Sequence, residues 1–352
     1  MKAWLILPAL LCLAAGEPAA PRVDPALAAV IAQLPAYAPA ERVSGTISIW
    51  GHGSPKHDFV GDLVRRWFAE FRKLQPTAQL DYRMYGTASA VPALATGAGT
   101  LAVLGEELSP DAERTFRRAR GYGPTVIEIA NGSVDTNYFD YAHMIFVHRD
   151  NPLAKLTVGQ LAGIFGAGNR CGPGDIRTWG QLGLKGPRAD RTITPYAWKT
   201  DVDFGLFFRE RVLCNSHRWN PAVREYMPVT APDGTVVQHG QLVLEALARD
   251  PDGIAISNVR FANPMVRALP LAWTARGGFV AATPASLIER RYPLVRIIPA
   301  VVDREPGKPL RPIEREFLRY ILSREGQTAL AEVSGYLPLN RATLLREREK
   351  LK

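Results

Sequence analysis

Apolar residues recur along this chain with two spacings, and the two spacings alternate. Residues 45–50 (GTISIW) carry apolar side chains at every second position, which predicts a strand. The next apolar run, over about residues 58–74, has the spacing of an amphipathic helix. Residues 79–84 and 101–104 again predict strands, and a helix running through Leu94 separates them. Strands alternating with helices in this way predict an open α/β sheet.

Each of these three strands is followed by a loop that contains glycine, at residues 51–54, 86–89 and 105–107. In open α/β sheets a ligand sits beyond the carboxyl ends of the strands, where helix N-termini point unbonded N–H groups. The pattern therefore predicts that this part of the chain contacts a ligand through these three loops.

The middle of the chain has a different pattern, a long extended run followed by a short helix. Residues 141–148 are largely apolar, and a turn at residues 149–152 ends the run. Thr157 is placed to cap a helix, because apolar residues follow it at helical spacing. These apolar residues are Val158, Leu161, Ile164 and Phe165.

The first sixteen residues predict a secretory signal peptide. Lys2 gives a positive start, residues 5–13 are apolar, and residues 14–16 are small. The sequence therefore predicts export to the periplasm. Cys12 raises the question of lipidation, although Leu11 stands where a lipid-attachment motif has a small residue. Residues 17–42, rich in Ala and Pro, predict a loosely packed arm.

The composition of the chain is that of an ordinary globular protein, and its net charge excludes few classes of function. Apolar residues are 47% and charged residues 22% of the 352, and the net charge is +9. Part of the excess lies in the basic tail, residues 341–352, which we interpret as a solvated helix end. The charge is compatible with an anion binder without selecting one, and we expect no nucleic-acid partner.

Two cysteines remain after signal cleavage, Cys171 and Cys214. An even pair in an exported chain predicts one disulfide, with two independent buried thiols as the alternative. The chain shows no Cys/His spacing typical of a zinc site, no nucleophile elbow and no phosphate-cradling Walker loop. We therefore expect neither an enzyme nor a cofactor.

Two motifs give the chain a specific resemblance. The segment 150–166 (DNPLAKLTVGQLAGIFG) resembles the crossover of periplasmic phosphate-binding proteins, in which a hinge strand leads into the pattern NPLxxLTxxQLxxIF. The segments 317–327 (FLRYILSREGQ) and 335–339 (GYLPL) resemble the closing motif of the same family.

The resemblance implies a type II periplasmic binding protein, an α/β fold whose two lobes close over a ligand. It places lobe one in residues 43–138 and 262–340, and lobe two in residues 139–261. The segment 253–258 resembles the family's return strand, and the segment 292–298 a strand back in lobe one. The resemblance also implies that the protein is a monomer and that it delivers its ligand to an inner-membrane ABC permease.

The resemblance also implies the ligand contacts of lobe one. Ser54 lies in the position of the family's first Gly-Ser/Thr loop, and Thr87 and Ser89 in that of its second. Glu106 falls near the family's acidic or arginine position after the third strand. Helix capping is the alternative role of the three hydroxyls, and a solvated first-turn carboxylate that of Glu106.

The fourth ligand loop departs from the family. After a strand predicted at residues 191–194 the family has an arginine and a Ser-Gly-Thr sequence, both absent here. The candidates that replace them are Lys199, Thr200 and Asp201. Lys199 could supply the missing positive charge, though without the planar contact of an arginine.

Asp201 and Asp203 would repel an anion unless one is protonated or turned away. One reading has them capping the helix and facing water. In the other, the pocket is rebuilt for a polyol or a cation on Tyr196 and Trp198. The expected function is capture of a small anion, phosphate first, for an ABC transporter. The alternative is an envelope accessory or sensor protein with a rebuilt pocket.

Overall fold

The computed structural model describes residues 23–52, 59–135, 141–168 and 171–352, in which strands and helices alternate. The strands of these residues are β1 (Gly45–Gly51), β2 (Ala78–Arg83), β3 (Leu101–Val103), β4 (Thr125–Asn131), β5 (Met144–His148), β6 (Leu156–Thr157), β7 (Thr194–Trp198), β8 (Arg224–Tyr226), β9 (Val229–Thr230), β10 (Val236–Val237), β11 (Gly253–Ser257), β12 (Val266–Ala268), β13 (Leu271–Ala272) and β14 (Ile297–Val302). The α-helices are α1 (Pro25–Ala32), α2 (Phe59–Leu74), α3 (Thr87–Thr96), α4 (Pro110–Arg120), α5 (Val158–Phe165), α6 (Asp203–Val212), α7 (His239–Leu247), α8 (Pro284–Ile288), α9 (Pro312–Ile321), α10 (Arg324–Val333) and α11 (Arg341–Glu349).

The first sheet has five strands in the order β2-β1-β3-β14-β4. Its first three strands are parallel, and β14 runs antiparallel between β3 and β4. The alternating apolar residues of β1, Ile47 and Ile49, are completely buried in the core of this sheet. The three strands and the helix α2 predicted from residues 45–104 are therefore confirmed, with ends shifted by a residue at most.

Helix α2 joins the first sheet to the carboxyl-terminal helices. The rings of Phe71 and Phe317 lie 5.2 Å apart edge to face, and the Trp67 indole N–H donates to the carbonyl of Gly326 at 2.7 Å. These contacts connect residues more than 240 positions apart in sequence. The first lobe thus combines the beginning and the end of the chain.

The second sheet has the order β12-β5-β11-β7-β8, with β5 antiparallel to both of its neighbours. Its strands are covered by α5 and α6 on one side, where Phe165 and Phe208 pack at 5.2 Å. The Thr157 hydroxyl accepts from the Gln160 amide, and the Gln160 side chain accepts from the Thr157 amide. The predicted strand, turn and capped helix are therefore confirmed.

The chain returns to the first lobe later than the resemblance placed it. Strand β12 pairs with β5 of the second sheet, and β13 pairs with β6. Residues 287–295 add buried side chains to the same core. The segment 262–296, expected in lobe one, thus packs with lobe two, and the return strand of the first sheet is β14. The expected return strand at 253–258 is β11, a central strand of the second sheet.

Both ends of the described chain are packed more tightly than the sequence suggested. In place of a loose arm, α1 packs Leu27 and Val30 against the core of the second lobe. The residues after it lie on the first lobe, where the Tyr37 amide donates to Glu325 at 2.7 Å and the Tyr37 hydroxyl to Glu316 at 3.0 Å. In place of a solvated tail, α11 buries Leu344 in the first core, and Leu351, just after the helix, is buried there as well. The apolar residues, few as they are, lie on the face that meets the core.

Cys171 and Cys214 form a disulfide, with their Cα atoms 6.1 Å apart. This confirms the predicted pairing and excludes two independent thiols. The bond joins the loop after α5 to the end of α6. Among the described residues, no helix is long and apolar enough to cross a membrane.

Candidate functional site

A cavity of about 70 Å³ lies where the two lobes meet. It is lined by Glu106, Glu107, Ser109 and Pro110 of the first lobe, by Leu206, Phe207 and Glu210 of α6, and by Arg296. One water molecule needs roughly 10–15 Å³ of a volume measured in this way, so the cavity fits a ligand of a few heavy atoms.

Thr87 connects the loops at the carboxyl ends of the first sheet. Its hydroxyl lies 3.0 Å from Nδ1 of His52 and accepts a hydrogen bond from the Gly105 amide at 3.3 Å. A Cβ atom at Gly105 would come within 2.5 Å of the His52 ring, so this close approach requires glycine. Three loops that the sequence predicted to meet do so at the N-terminus of α3.

The other predicted contacts of the first lobe have different surroundings. The Ser89 hydroxyl donates to the Gly86 carbonyl at 2.7 Å within the first turn of α3, which is a local structural role. Glu106 is half-buried and lines the cavity between the lobes. Ser54 lies outside the described residues.

Arg296 is the cation at the bottom of the cleft, where the chain enters β14. It is 1% exposed, and its Nε donates to Glu107 at 2.8 Å. The Ile297 amide donates to the other oxygen of Glu107. Because Glu107 follows β3 and Arg296 precedes β14, the ion pair holds a first-lobe loop against the crossover between the lobes.

His143, at the other crossover, lies in the same cluster. Its Nε2 is 3.2 Å from Nη1 of Arg296, so the ring accepts there and Nδ1 carries the proton. Nδ1 is buried with no partner among the described residues. Burial, and then the charge of Arg296, hold the pKa of His143 well below its ordinary value. The imidazole is therefore neutral.

The second lobe meets this cluster with aromatic rings. Phe204, in the first turn of α6, stacks between His143 at 3.7 Å and Trp198 at 3.5 Å. Both Phe204 and Trp198 are buried. The residue that caps α6 is Val202, which has no side-chain oxygen to bond the free amides of the helix.

Tyr196 and Trp198 lie in a strand rather than in the ligand loop where the sequence placed them. The sequence predicted a strand at residues 191–194, whereas β7 spans Thr194–Trp198 with Pro195 opposite Ile254. Pairing with β8 begins only at Tyr196, so no backbone hydrogen bond to β8 is required of Pro195, which has no N–H. The two rings are therefore buried in the core of the second lobe, between its sheet and α7, and do not form a stacking platform for a ligand.

The loop after β7 contains Lys199, Thr200 and Asp201. Their side chains contact each other and a residue of β8. Lys199 pairs with Asp201 at 3.1 Å, and both are well exposed. The Thr200 amide donates to Glu225 at 3.1 Å, and its hydroxyl donates to the same oxygen. None of the three lines the cavity between the lobes.

The sequence did not predict that Arg296, Glu107 and Phe204 are parts of the site. Arg296 stands inside the quoted segment 292–298, and a lone arginine within a run of apolar residues was the available signal. Glu107 adjoins the predicted Glu106, so the loop was found and the buried carboxylate was not. Among the described residues, no group of three or more potential ligands could hold a metal ion.

Comparison with known proteins finds related sequences and similar folds. No family model matches the chain. It is 31% identical over 340 residues to the phosphate-binding protein PstS of two strains of Pseudomonas aeruginosa, with 96% of each chain covered.

Two solved structures are similar in fold. One is PstS from Borrelia burgdorferi, at 17% identity and a TM-score of 0.53, covering 85% of this chain and 100% of the other. The second is an ABC-type phosphate transport receptor from Vibrio cholerae, at 15% identity and a TM-score of 0.51, covering 83% and 99%. The predicted two-lobed type II periplasmic binding protein fold is thereby confirmed.

Proposed function

Because the chain belongs to the family of the phosphate-binding protein PstS, we propose that it is an exported solute-binding protein that captures inorganic phosphate between its lobes. It works in the periplasm as a monomer, binds its ligand without converting it, and presents the ion to an inner-membrane ABC permease. It uses no cofactor.

The observation that carries this proposal is the meeting of three loops at the N-terminus of α3. Thr87 supplies a hydroxyl there, the Gly105 amide donates to that hydroxyl and holds it in place, and no side chain caps the first turn of the helix. Such a concentration of donors, with the positive end of the helix dipole, suits a dehydrated anion.

The cleft also holds the charges that an anion site requires. Arg296 is buried there and its charge is balanced by Glu107, so an arriving anion meets an ion pair and not an isolated cation. Glu106, at the cavity wall, is placed to accept the proton of a monohydrogen anion. Lys199 adds a cation only if it leaves Asp201 when the lobes close on a ligand.

Titration calorimetry with inorganic phosphate tests the proposal. The mature protein should be unfolded and refolded first to remove bound ligand, and then titrated at neutral pH and low salt. We expect binding at micromolar concentration or tighter. Thr87→Ala should weaken it by roughly ten-fold or more, the loss of about one charged hydrogen bond.

The matched control is Thr96→Ala, at the opposite end of the same helix, where the hydroxyl donates to the Pro92 carbonyl. Lys199→Ala tests whether the lysine reaches the ligand. Equal phosphate affinity of Thr87→Ala and Thr96→Ala would refute the assignment of the ligand to the α3 N-terminus.

A second function is favoured by the aromatic stack at the start of α6. Phe204 and Trp198 stack in the core beside the start of α6, where the family has a Ser-Gly-Thr sequence that this chain lacks. A chain so altered would serve as an envelope accessory or sensor protein whose pocket accepts another solute or none. A correctly folded protein that gives neither heat nor a thermal shift at millimolar phosphate would support this role.

A further inference from the structure

A second and larger cavity adjoins the first on the side toward the end of α6. Its volume is about 430 Å³, within the usual range of small-molecule pockets. It is lined by Glu107, Phe207, Glu210, Arg211, Trp273 and Ile297. Glu107, Phe207 and Glu210 line the smaller cavity between the lobes as well, so the two cavities share a wall. None of the six residues takes part in the Thr87 cluster at the N-terminus of α3.

Two opposite charges line this cavity without a hydrogen-bond or ion-pair partner for their side chains among the described residues. Neither Glu210 nor Arg211 forms a hydrogen bond or an ion pair with any other residue of the described ranges. They are neighbours in sequence on one helix and form no ion pair with each other, although the charge of Arg211 acts to lower the pKa of Glu210. Each therefore remains available to a ligand group of opposite charge.

The carboxylates of the two lobes also favour a cation between them. Partial burial, and next the charge of Glu107, raise the pKa of Glu210. An ammonium group beside Glu210 and Glu107 would relieve this repulsion. Glu107 belongs to the first lobe and Glu210 to the second, so the same group would connect the two lobes.

Aromatic rings supply the apolar part of the cavity. The Arg211 guanidinium lies 5.6 Å from the centre of the Phe207 ring and 5.9 Å from that of Trp273. Trp273 is 47% exposed, which is unusual for so large an apolar side chain. The two rings thus hold the guanidinium in place, and the exposed part of Trp273 offers an apolar surface to a ligand.

We infer that this cavity binds a small zwitterion of the amino-acid type. Its ammonium group lies between Glu210 and Glu107, its carboxylate meets Arg211, and its apolar side chain packs on Trp273 and Phe207. Because the site draws on both lobes, the zwitterion favours their closed arrangement.

Three probes of one size separate the contributions in calorimetric titrations of the full chain. L-phenylalanine carries both charges, phenethylamine lacks the carboxylate, and 3-phenylpropionate lacks the amine. We expect saturable binding of L-phenylalanine and at least roughly ten-fold weaker binding of each of the others, since each loses one charge-assisted contact.

Variants assign the contacts. Glu210→Gln and Arg211→Gln should each weaken L-phenylalanine by roughly ten-fold or more, and Trp273→Ala should also weaken it. The matched controls are Glu289→Gln and Arg291→Gln, since these two residues form an exposed pair with each other outside the cavity. They should bind L-phenylalanine as the parent does.

Three results would overturn the inference. The first is no heat from L-phenylalanine at about 10 mM, far above the affinities that such sites reach. The second is phenethylamine binding as tightly as L-phenylalanine, which would make the cavity an amine site. The third is unchanged affinity in both Glu210→Gln and Arg211→Gln. A phosphate titration of the same samples reports on the other site, so the two proposals can fail separately.

Discussion

Acidification should destabilise this protein, and His143 supplies a part of that effect that can be isolated. Burial and the charge of Arg296 keep the pKa of His143 well below its ordinary value in the folded chain. In the unfolded chain the imidazole takes up a proton below about pH 6.5. The unfolded state then binds more protons, so the stability present above pH 6.5 is lost as the pH falls.

The size of the effect follows from the two protonation equilibria. Between pH 7.5 and 5.5, one histidine that stays neutral when folded lowers the free energy of unfolding by about 1.4 kcal/mol. The groups that face His143 are the Arg296 guanidinium, with Glu107 beyond it, and the rings of Phe204 and Phe207 on α6. Arg296 keeps its charge over this range, so it does not blur the profile.

The assay is urea unfolding at several pH values, followed by tryptophan fluorescence. His143→Gln keeps an acceptor for Arg296 and removes the titrating group, so its stability should fall by about 1.4 kcal/mol less over the two pH units than that of the parent. His217→Gln, at an exposed histidine, controls for exchanging an imidazole for an amide. Parallel profiles of the parent and His143→Gln would refute the reasoning, whatever their absolute stabilities.

Other substitutions test the packing that positions the site. Arg296→Met should lower the free energy of unfolding by about 3 kcal/mol in urea titrations, because it leaves Glu107 unpaired, and adding Glu107→Gln should restore part of it. Replacing Cys171 and Cys214 by serine should cost about 4 kcal/mol in the same assay, from the 43-residue separation of the bridge, and a change below about 1 kcal/mol would contradict this. Leu344→Ala should lower the melting temperature through a loss of about 3 kcal/mol, and an unchanged melting curve would mean that α11 does not stabilise the first lobe.

Local patterns in the sequence predicted local structure well. The capped helix α5 was predictable because its cap and its apolar face lie within nine residues. The disulfide was predictable because only one pair was available after signal cleavage. The three loops of the first lobe were predictable as neighbours because parallel strands bring their carboxyl ends to one edge.

Features that depend on distant partners were not predictable in this way. Strand β12 is three residues long, and its place beside β5 follows from pairing across about 120 residues. The end of β7 was misplaced, and Pro195, which is a strand breaker in general, is tolerated here by the pairing around it. In the sequence, Arg296 is a single charged residue within an apolar run. Its partners Glu107 and His143 are distant in sequence and come beside it only in the folded chain.

The contacts of Tyr37 with Glu325 and Glu316 have a consequence for the order in which the chain folds. These bonds span 288 and 279 positions, so the earliest described segment finds its partners only near the end of synthesis. Strand β4 likewise waits for β14 before the first sheet can close. The second lobe, by contrast, draws its core almost entirely from one continuous stretch before residue 296. A growing chain therefore completes most of its second lobe first, while Tyr37 remains without these two partners until the last helices are made.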